Sequence, residues 1–299
     1  MQEFYSHGKL LISAEYAVLD GAKALALPTK LGQRLQVTKT NTKYIFWKSF
    51  DYQNNLWFET TLSTTDFKPS IANPTSERLS QCFQVVHELQ PKLFESQKGL
   101  EFISHLEFPQ NWGLGSSSTL VNNLAQWAKV DAFELLENTF GGSGYDVGCA
   151  QHPYPITFQK TLKSPKIEKA VFDPPFKDQL FFVHRNQKQN SREAIAAYKA
   201  LKKGEKLDFS ELNAITNALS QTSTLEAFES LIIQHETLIS ELTQHPQLKT
   251  SHFSDYNRAI KSLGAWGGDF FLATGHSDDM DYFINKGYNT IVPYGEMVL

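Results

Sequence analysis

The sequence predicts a protein that combines a sheet-rich first part with a mainly helical second part. Short runs rich in β-branched and aromatic residues, joined by turn-forming residues, fill its first third. They predict strands at residues 9–13, 16–19, 35–38, 44–47, 56–62 and 100–106. Asp20-Gly21, which follows the second run, is typical of a two-residue hairpin turn because glycine accepts a positive φ. An antiparallel or mixed sheet follows from this pattern.

Helices are predicted where apolar residues recur at helical spacing. Asn73-Pro74 supplies a cap and a first-turn proline for a helix whose apolar stripe includes Cys82. Further helices are predicted at residues 117–130, 191–201, 209–219 and 224–242, with a strand at 179–183. The Pro- and Lys-containing connection at residues 152–166 predicts a boundary between an N-terminal domain, 1–160, and a C-terminal domain, 161–299.

The composition excludes several classes of partner. The chain has 299 residues, of which 41% are hydrophobic and 20% charged, so it can bury a sizeable core. Its net charge of -4, with no dense Lys/Arg cluster, argues against a nucleic-acid partner. Cys82 and Cys149 lack the spacing of a disulfide framework or a zinc site. With neither a signal-like N-terminus nor a membrane-length apolar run, we expect a soluble, unprocessed cytoplasmic protein without a membrane partner.

The segment Gly113-Leu114-Gly115-Ser116-Ser117-Ser118 is a glycine- and serine-rich turn before a predicted helix. Glycines let the backbone approach a ligand closely, and N–H groups at a helix start favour an anion. The segment therefore indicates a phosphate-binding loop, with a glycine turn and serine N-caps as the structural alternative. No lysine follows the glycines, so it is not a Walker A loop.

Two further glycine-rich segments carry carboxylates. Gly141-Gly142-Ser143-Gly144-Tyr145-Asp146 presents an acid that could accept a proton from a substrate hydroxyl or ligate a cation, although such an Asp also serves in turns and caps. The other segment, residues 262–269, ends at Asp269 and is predicted to lie between a helix ending near Lys261 and a strand at 270–273. Two such turns could line a common cleft.

Together these segments and the N-terminal stretch resemble the GHMP kinases, the family of galactokinase, homoserine kinase, mevalonate kinase and phosphomevalonate kinase, over nearly the whole chain. Residues 8–19, from Gly8-Lys9 through Glu15-Tyr16-Ala17-Val18, are similar to the family's first motif. His7 stands where this motif usually has proline, and Ser13-Ala14 stands where it usually has a small residue followed by glycine. Residues 113–118 match the second signature, and residues 264–268 resemble the third, with Trp266 where glycine is common.

Within the family, the chain looks most like the phosphomevalonate kinase branch. Ser143-Gly144-Tyr145-Asp146-Val147 and Asp269 carry that likeness. Lys188-Gln189-Asn190-Ser191-Arg192 falls where that branch has a Ser/Thr-containing segment near the acceptor phosphate, although Ser191 is equally suited to N-cap the following helix.

The resemblance implies ATP and Mg²⁺ as cofactors. Residues 113–118 would cradle the ATP phosphates, Lys9 would stabilise the transferring group, and Asp146 would act as base or orient the acceptor. Ser117 would ligate Mg²⁺, with Glu137 as a second ligand, since Glu134 is better placed to cap a helix that starts after Asp131. Substrate contacts would come from six positions: Glu15, Ser143, Gly144, Lys188, Ser191 and Gly267.

The implied fold is α+β, the two-lobe GHMP kinase fold, with an N-terminal lobe like ribosomal protein S5 domain 2, a ferredoxin-like C-terminal lobe and ATP between them. A homodimer is possible. The first expectation for the function is a kinase of phosphomevalonate, and the second a kinase of mevalonate or another small alcohol. A non-catalytic metabolite-binding protein is the third, but a sensor would need neither Lys9 nor Asp146. The related diphosphomevalonate decarboxylases are disfavoured because their Tyr-Trp-Gly-Lys-Arg opening is absent.

Overall fold

The chain folds into two units, each of which combines sheet and helix, so the mixed α+β class is confirmed. The computed structural model describes residues 1–95, 98–186, 191–202, 207–264 and 269–299, with residues 191–194 described in their backbone only. The first unit comprises Met1–Gly8, Leu31–Gln110 and Gly115–Gln151, and the second comprises Lys9–Lys30, Asn111–Leu114 and His152–Leu299. The domain boundary at residue 160 stays a prediction.

A mixed sheet organises the first unit. Its strands are β1 (Gln2–Leu11), β2 (Ala24–Lys39), β3 (Tyr44–Phe50), β4 (Leu56–Ser63) and β5 (Leu100–Leu106), of which β1 and β2 each have residues in both units. Their order is β4-β3-β5-β2, and β1 also pairs with β2. Strand β3 is antiparallel to β4 but parallel to β5, which confirms the predicted mixed sheet.

Helices cover this sheet through a core of aromatic and aliphatic side chains. They are α1 (Pro74–Leu89), α2 (Ser116–Ala128), α3 (Ala132–Glu137) and α4 (Tyr145–Ala150), with a 3₁₀ turn at Pro91–Leu93. Asn73 caps α1 as predicted, since its Oδ1 accepts the N–H groups of Thr75 and Ser76, both at 3.0 Å. Cys82 is fully buried in the core, and burial raises the pKa of its thiol to about 12, as befits a packing residue.

The second unit contains a separate antiparallel sheet. The remaining strands of the second unit are β6 (Ile156–Gln159), β7 (Lys166–Lys169), β8 (Leu180–His184), β9 (Ile260–Ser262), β10 (Phe270–Thr274) and β11 (Ile291–Pro293). Four of them pair in the order β11-β8-β10-β9, whereas β6 pairs with β7 and with residues 24–26 of β2. Phe253, Phe271 and Phe283 pack in the core beside the four-stranded sheet.

The described residues of the second unit form several helices, of which the first three lie where the sequence predicted them. They are α5 (Ser191–Leu201), α6 (Ser210–Leu219), α7 (Leu225–Thr243), α8 (Leu248–His252), α9 (Asp281–Asn285) and α10 (Tyr294–Met297). Three 3₁₀ segments accompany them at Ala17–Asp20, Lys177–Gln179 and Ser277–Met280. Within the described ranges, no helix is both long enough and apolar enough to cross a membrane.

Two sequence expectations were wrong. The predicted strand at residues 16–19 is the 3₁₀ segment Ala17–Asp20, and Gly21, at φ 96°, ends that segment instead of forming a hairpin turn. A run of four apolar residues has no periodicity that could separate the two conformations. The helix expected to end near Lys261 is strand β9, whose three residues are all buried and pair with β10.

Candidate active site

The glycine- and serine-rich loop leads directly into α2. Gly115 is the N-cap residue and adopts the left-handed conformation at φ 89°. No side chain at the cap accepts a hydrogen bond from the N–H groups of the first turn. The helix begins with the Thr119 N–H donating to the Gly115 carbonyl at 3.0 Å. A serine N-cap, the structural alternative, is therefore not what the chain adopts. The first-turn N–H groups and the positive end of the helix dipole suit an anion.

The first turn of α2 is bound to the Asp146 segment. Ser118 is buried, and its Oγ donates to Oδ2 of Asp146 at 2.5 Å. The other carboxylate oxygen, Oδ1, accepts the N–H of Val147 at 3.2 Å. Two motifs that lie 28 residues apart thus meet within the first unit. The half-buried Asp146 carboxylate is held in one orientation, as a proton acceptor or an orienting group requires.

Lys9 contacts the part of the loop that belongs to the second unit. Its backbone N–H donates to the Leu114 carbonyl at 2.9 Å, and its Nζ donates to the Gly113 carbonyl at 2.6 Å. The side chain is half-buried, so the ammonium group is partly desolvated at the loop. The first and second motifs are therefore joined through Lys9.

Asp269 brings the third motif to the same glycine. A Cβ atom on Gly113, which has φ 63°, would lie only 1.9 Å from Oδ2 of Asp269 and 2.8 Å from its Cβ. Glycine is required here because the Asp269 side chain occupies the space of a side chain at position 113. Within the second unit, Asp269 at the end of the segment 262–269 therefore lies against Gly113 of the glycine- and serine-rich loop, and the common cleft stays a prediction. Trp112 supports the contact by packing edge-on against Phe270 at 5.3 Å between ring centroids.

Glu15, expected to contact substrate, lies in a buried cluster of charged side chains in the second unit. Lys261 Nζ donates to Glu15 Oε1 at 2.7 Å and lies 3.3 Å from Oε1 of Glu236. Ser262 donates to the second oxygen of Glu236 at 2.8 Å. The side chains of Glu15 and Lys261 are fully buried, so each charge is compensated by the other and not by water.

His235 completes this cluster as a neutral group. Its Nε2 accepts the N–H of Ala14 at 2.8 Å, which places the ring hydrogen on Nδ1. Burial, reinforced by the Lys261 charge, holds the pKa of His235 well below its ordinary value. Burial raises the pKa of Glu15 to about 7, against the opposing effect of Lys261, and it also raises the pKa of Glu236. The cluster is therefore poised to hold a proton near neutral pH.

The cluster supports a strained turn. Ala14 and Tyr16, on either side of Glu15, both adopt positive φ, at 65° and 60°. This conformation disfavours residues with a Cβ atom. Ala14 occupies the position where the first motif usually has glycine, and the hydrogen bond to His235 and the Glu15–Lys261 pair help to hold its positive φ.

The remaining predicted residues are placed as follows. Ser143 and Gly144 precede α4, where Gly144, at φ 90°, is the N-cap, and Asp131 caps α3 through the N–H groups of Phe133 and Glu134. Ser117 is exposed in the first turn of α2, and Glu137 is exposed at the end of α3. Among the described residues, no group of three or more His, Cys, Asp or Glu side chains could hold a metal ion. Lys188 and Gly267, and the side chain of Ser191, lie outside the described residues.

Sequence reasoning missed three residues that organise the candidate site: His235, Glu236 and Lys261. Ser118 was predicted as part of the phosphate-binding loop, but its hydrogen bond to Asp146, 28 residues away, was not predicted. Lys261 lies 246 residues from Glu15, and no motif connects them. The one available signal was the position of Lys261 in a short stretch, Ala259 to Leu263, whose other residues are apolar apart from Ser262.

Known structures resemble this chain over nearly its whole length. No protein-family model and no curated protein sequence matches it. Mevalonate kinase of Methanococcus jannaschii has a TM-score of 0.69 at 15% identity, covering 97% of this chain and 96% of that one. Streptococcus pneumoniae phosphomevalonate kinase, in complex with phosphomevalonate and AMPPNP, has a TM-score of 0.69 at 16% identity and 96% coverage of both chains. Lactococcus lactis galactokinase, complexed with galactose, has a TM-score of 0.67 at 13% identity, covering 94% and 87%. The chain therefore has the fold of the GHMP kinases.

Proposed function

We propose that this protein is an ATP-dependent small-molecule kinase that transfers the γ-phosphate of ATP to a small acceptor. The observation that carries the proposal is the Ser118–Asp146 hydrogen bond. It joins a helix start that has no side-chain cap and is suited to phosphate to an oriented carboxylate that is suited to an acceptor. Phosphoryl transfer needs such positioning and charge stabilisation more than covalent chemistry.

The nucleotide phosphates are assigned to the loop Gly113-Leu114-Gly115-Ser116-Ser117-Ser118. Gly115 leaves space at the helix start, and the N–H groups of the first turn can donate to phosphate oxygens. Lys9, held against the Gly113 carbonyl, supplies the positive charge that stabilises the transferring group.

Mg²⁺ fits this donor set when most of its ligands are phosphate oxygens and water. Mg²⁺ typically takes only one or two protein ligands at such sites, so a cluster of three acidic residues is not needed. The exposed Ser117 hydroxyl at the start of α2 is the proposed ligand, with Glu137 as a second candidate. The ion would neutralise charge on the phosphates.

The proposed acceptor is phosphomevalonate. The Ser143-Gly144-Tyr145-Asp146-Val147 segment and Asp269 favour that branch, and a structurally similar protein is a phosphomevalonate kinase with that compound bound. Asp146 would orient the acceptor or take its proton, while Ser143, Gly144, Lys188, Ser191 and Gly267 remain proposed substrate contacts. Since the Glu15 carboxylate is paired with Lys261 inside the protein, we assign it to holding the turn after Lys9 rather than to the substrate.

Mevalonate or another small alcohol is the second candidate, because structures of a mevalonate kinase and a galactokinase also resemble the chain over most of its length. Coupled-enzyme measurement of ADP release with phosphomevalonate, mevalonate, homoserine and galactose separates these acceptors. We expect turnover with phosphomevalonate that is abolished in Lys9→Met. Turnover with mevalonate alone would overturn the proposed acceptor, and binding of Mg·ATP without turnover of any acceptor would favour a metabolite-binding protein.

A further inference from the structure

A groove in the first unit lies away from the proposed active site. It has a volume of about 980 Å³, and four lysines line it: Lys39, Lys92, Lys98 and Lys129. Apolar side chains also line it, among them Leu100 and Trp127. No Asp or Glu side chain is among its lining residues, all of which belong to the described part of the chain. The groove thus combines an apolar surface with four positive charges in a protein whose net charge is -4.

The four lysines are not used in holding the fold together. In the described part of the first unit, the ion pairs involve Arg34, Lys48 and Lys68. None of the groove lysines has an ion pair or a side-chain hydrogen bond with another described residue. Four like charges around one groove repel each other, and an anion bound among them would relieve that repulsion.

The Lys129 side chain is also not needed to cap the C-terminal end of α2. The helix ends at the groove, where Lys129 adopts the left-handed conformation at φ 56°. The N–H groups of Lys129 and Val130 both donate to the Ala125 carbonyl, so backbone groups close the helix end. Because α2 has 13 residues and rises about 1.5 Å per residue, the groove lies roughly 20 Å along the helix from the loop at its start.

We propose that this groove binds a small amphipathic organic phosphate, with the phosphate group among the lysines and the apolar body against Leu100 and Trp127. Lysine ammonium groups are point-charge partners for phosphate, and the volume lies in the range of small-molecule sites. The groove has the size of a small-molecule site, and the sequence has no dense Lys/Arg cluster of the kind that binds nucleic acid. This assignment is independent of the proposed kinase activity.

Titration calorimetry of the full chain with octyl phosphate, octanol and inorganic phosphate tests the proposal. We expect octyl phosphate to bind saturably at one site, at least about tenfold more tightly than either half-ligand, and more weakly as salt is added. Lys39→Gln/Lys129→Gln should weaken binding at least about tenfold. The matched control is Lys43→Gln/Lys68→Gln, which removes the same charge from exposed positions of the first unit outside the groove and should leave binding unchanged.

Lys9→Met distinguishes the groove from the phosphate-binding loop. This variant should bind octyl phosphate as the wild type does. Three results would overturn the proposal: weakened binding in Lys9→Met with normal binding in the groove variant, equal weakening in the groove and control variants, or octanol binding as tightly as octyl phosphate. If Lys9→Met loses ATP turnover but binds octyl phosphate as the wild type does, the result supports both the proposed kinase activity and the proposed groove site.

Discussion

The Ser118 hydroxyl donates a hydrogen bond to Oδ2 of Asp146 at 2.5 Å. This contact connects the first turn of α2 with the segment Gly141 to Ala150. Asp146 is the only acidic residue in the sequence of that segment. A hydroxyl that donates to a carboxylate restricts the rotation of that carboxylate. Ser118 therefore acts through Asp146, as a residue that positions it.

Replacing Ser118 by alanine should reduce kcat by roughly 10- to 100-fold. Hydrogen bonds to charged groups contribute about 1.5–3 kcal/mol, and about 1.4 kcal/mol corresponds to a factor of ten. Steady-state kinetics of Ser118→Ala is the measurement, with Ser80→Ala as the control because Ser80 is a buried serine on α1 of the same unit. An unchanged kcat in Ser118→Ala would show that the Asp146 orientation does not depend on this bond.

Replacing Gly115 by valine should abolish nucleotide binding. Gly115 caps α2 at φ 89°, a conformation that a β-branched residue avoids, and its side chain would fill the space where a phosphate must approach. Isothermal titration with Mg·ATP measures the effect, and Gly287→Val serves as control, since Gly287 is also at positive φ, 90°, but lies after α9. Undiminished ATP affinity in Gly115→Val would rule out the phosphate assignment of the loop.

Replacing Asp146 by asparagine separates the candidate acceptors. A phosphate group is largely ionised at neutral pH, since its second pKa is near 6, so it needs little help from a base. An alcohol must lose its proton, and a positioned base typically contributes about 10²–10⁴-fold. We expect Asp146→Asn to lose less than about a hundredfold in kcat with phosphomevalonate. A larger loss confined to an alcohol acceptor would identify the protein as an alcohol kinase.

Local signals in the sequence predicted much of the fold. Asn73-Pro74 placed the start of α1 to the residue, because cap chemistry is local and α1 repeats its apolar positions over 16 residues. Residues 16–19 were misread as a strand because a short buried run has no period, and because the positive φ of Ala14 and Tyr16 depends on tertiary contacts. Strand β9 was misread for the same reason, since all three of its residues are buried.

The site was predictable as motifs but not as contacts. Glycine patterns identified the loop and the Asp146 segment, since glycine marks positions that need positive φ. The partners of those motifs could not be predicted. Neither the Ser118–Asp146 bond nor the contact of Asp269 with Gly113 has a signal in sequence spacing, because both depend on how the strands and helices pack.

The buried cluster predicts a pH dependence of stability that Glu15→Gln removes. In the folded protein the Glu15 pKa is about 7, compared with an ordinary value of 4.5. Between these values the folded state holds a proton that the unfolded state releases, so the contribution of Glu15 to stability falls as pH rises from about 4.5 to about 7. The buried, neutral His235 acts in the opposite sense, because its contribution is lost as pH falls below about 6.5.

Urea unfolding of wild type and Glu15→Gln at several pH values isolates the contribution of the Glu15 carboxyl group to the free energy of unfolding. The wild-type free energy of unfolding minus that of the variant should decrease over this window, by on the order of 3 kcal/mol at most. Glu241→Gln, an exposed position on α7, should show no such trend. A difference between wild type and Glu15→Gln that stays constant with pH would mean that Glu15 is ionised throughout.

Single-turnover transfer of labelled phosphate from [γ-³²P]ATP to phosphomevalonate, in wild type and Lys9→Met, tests the central claim most directly. Lys9→Met keeps the aliphatic stem but removes the charge held at the Gly113 carbonyl. We predict transfer by the wild type, a rate at least about a hundredfold lower in Lys9→Met with ATP affinity less affected, and a normal rate in the exposed control Lys163→Met. No label in any small-molecule product, or an undiminished rate in Lys9→Met, would contradict a kinase built on these motifs.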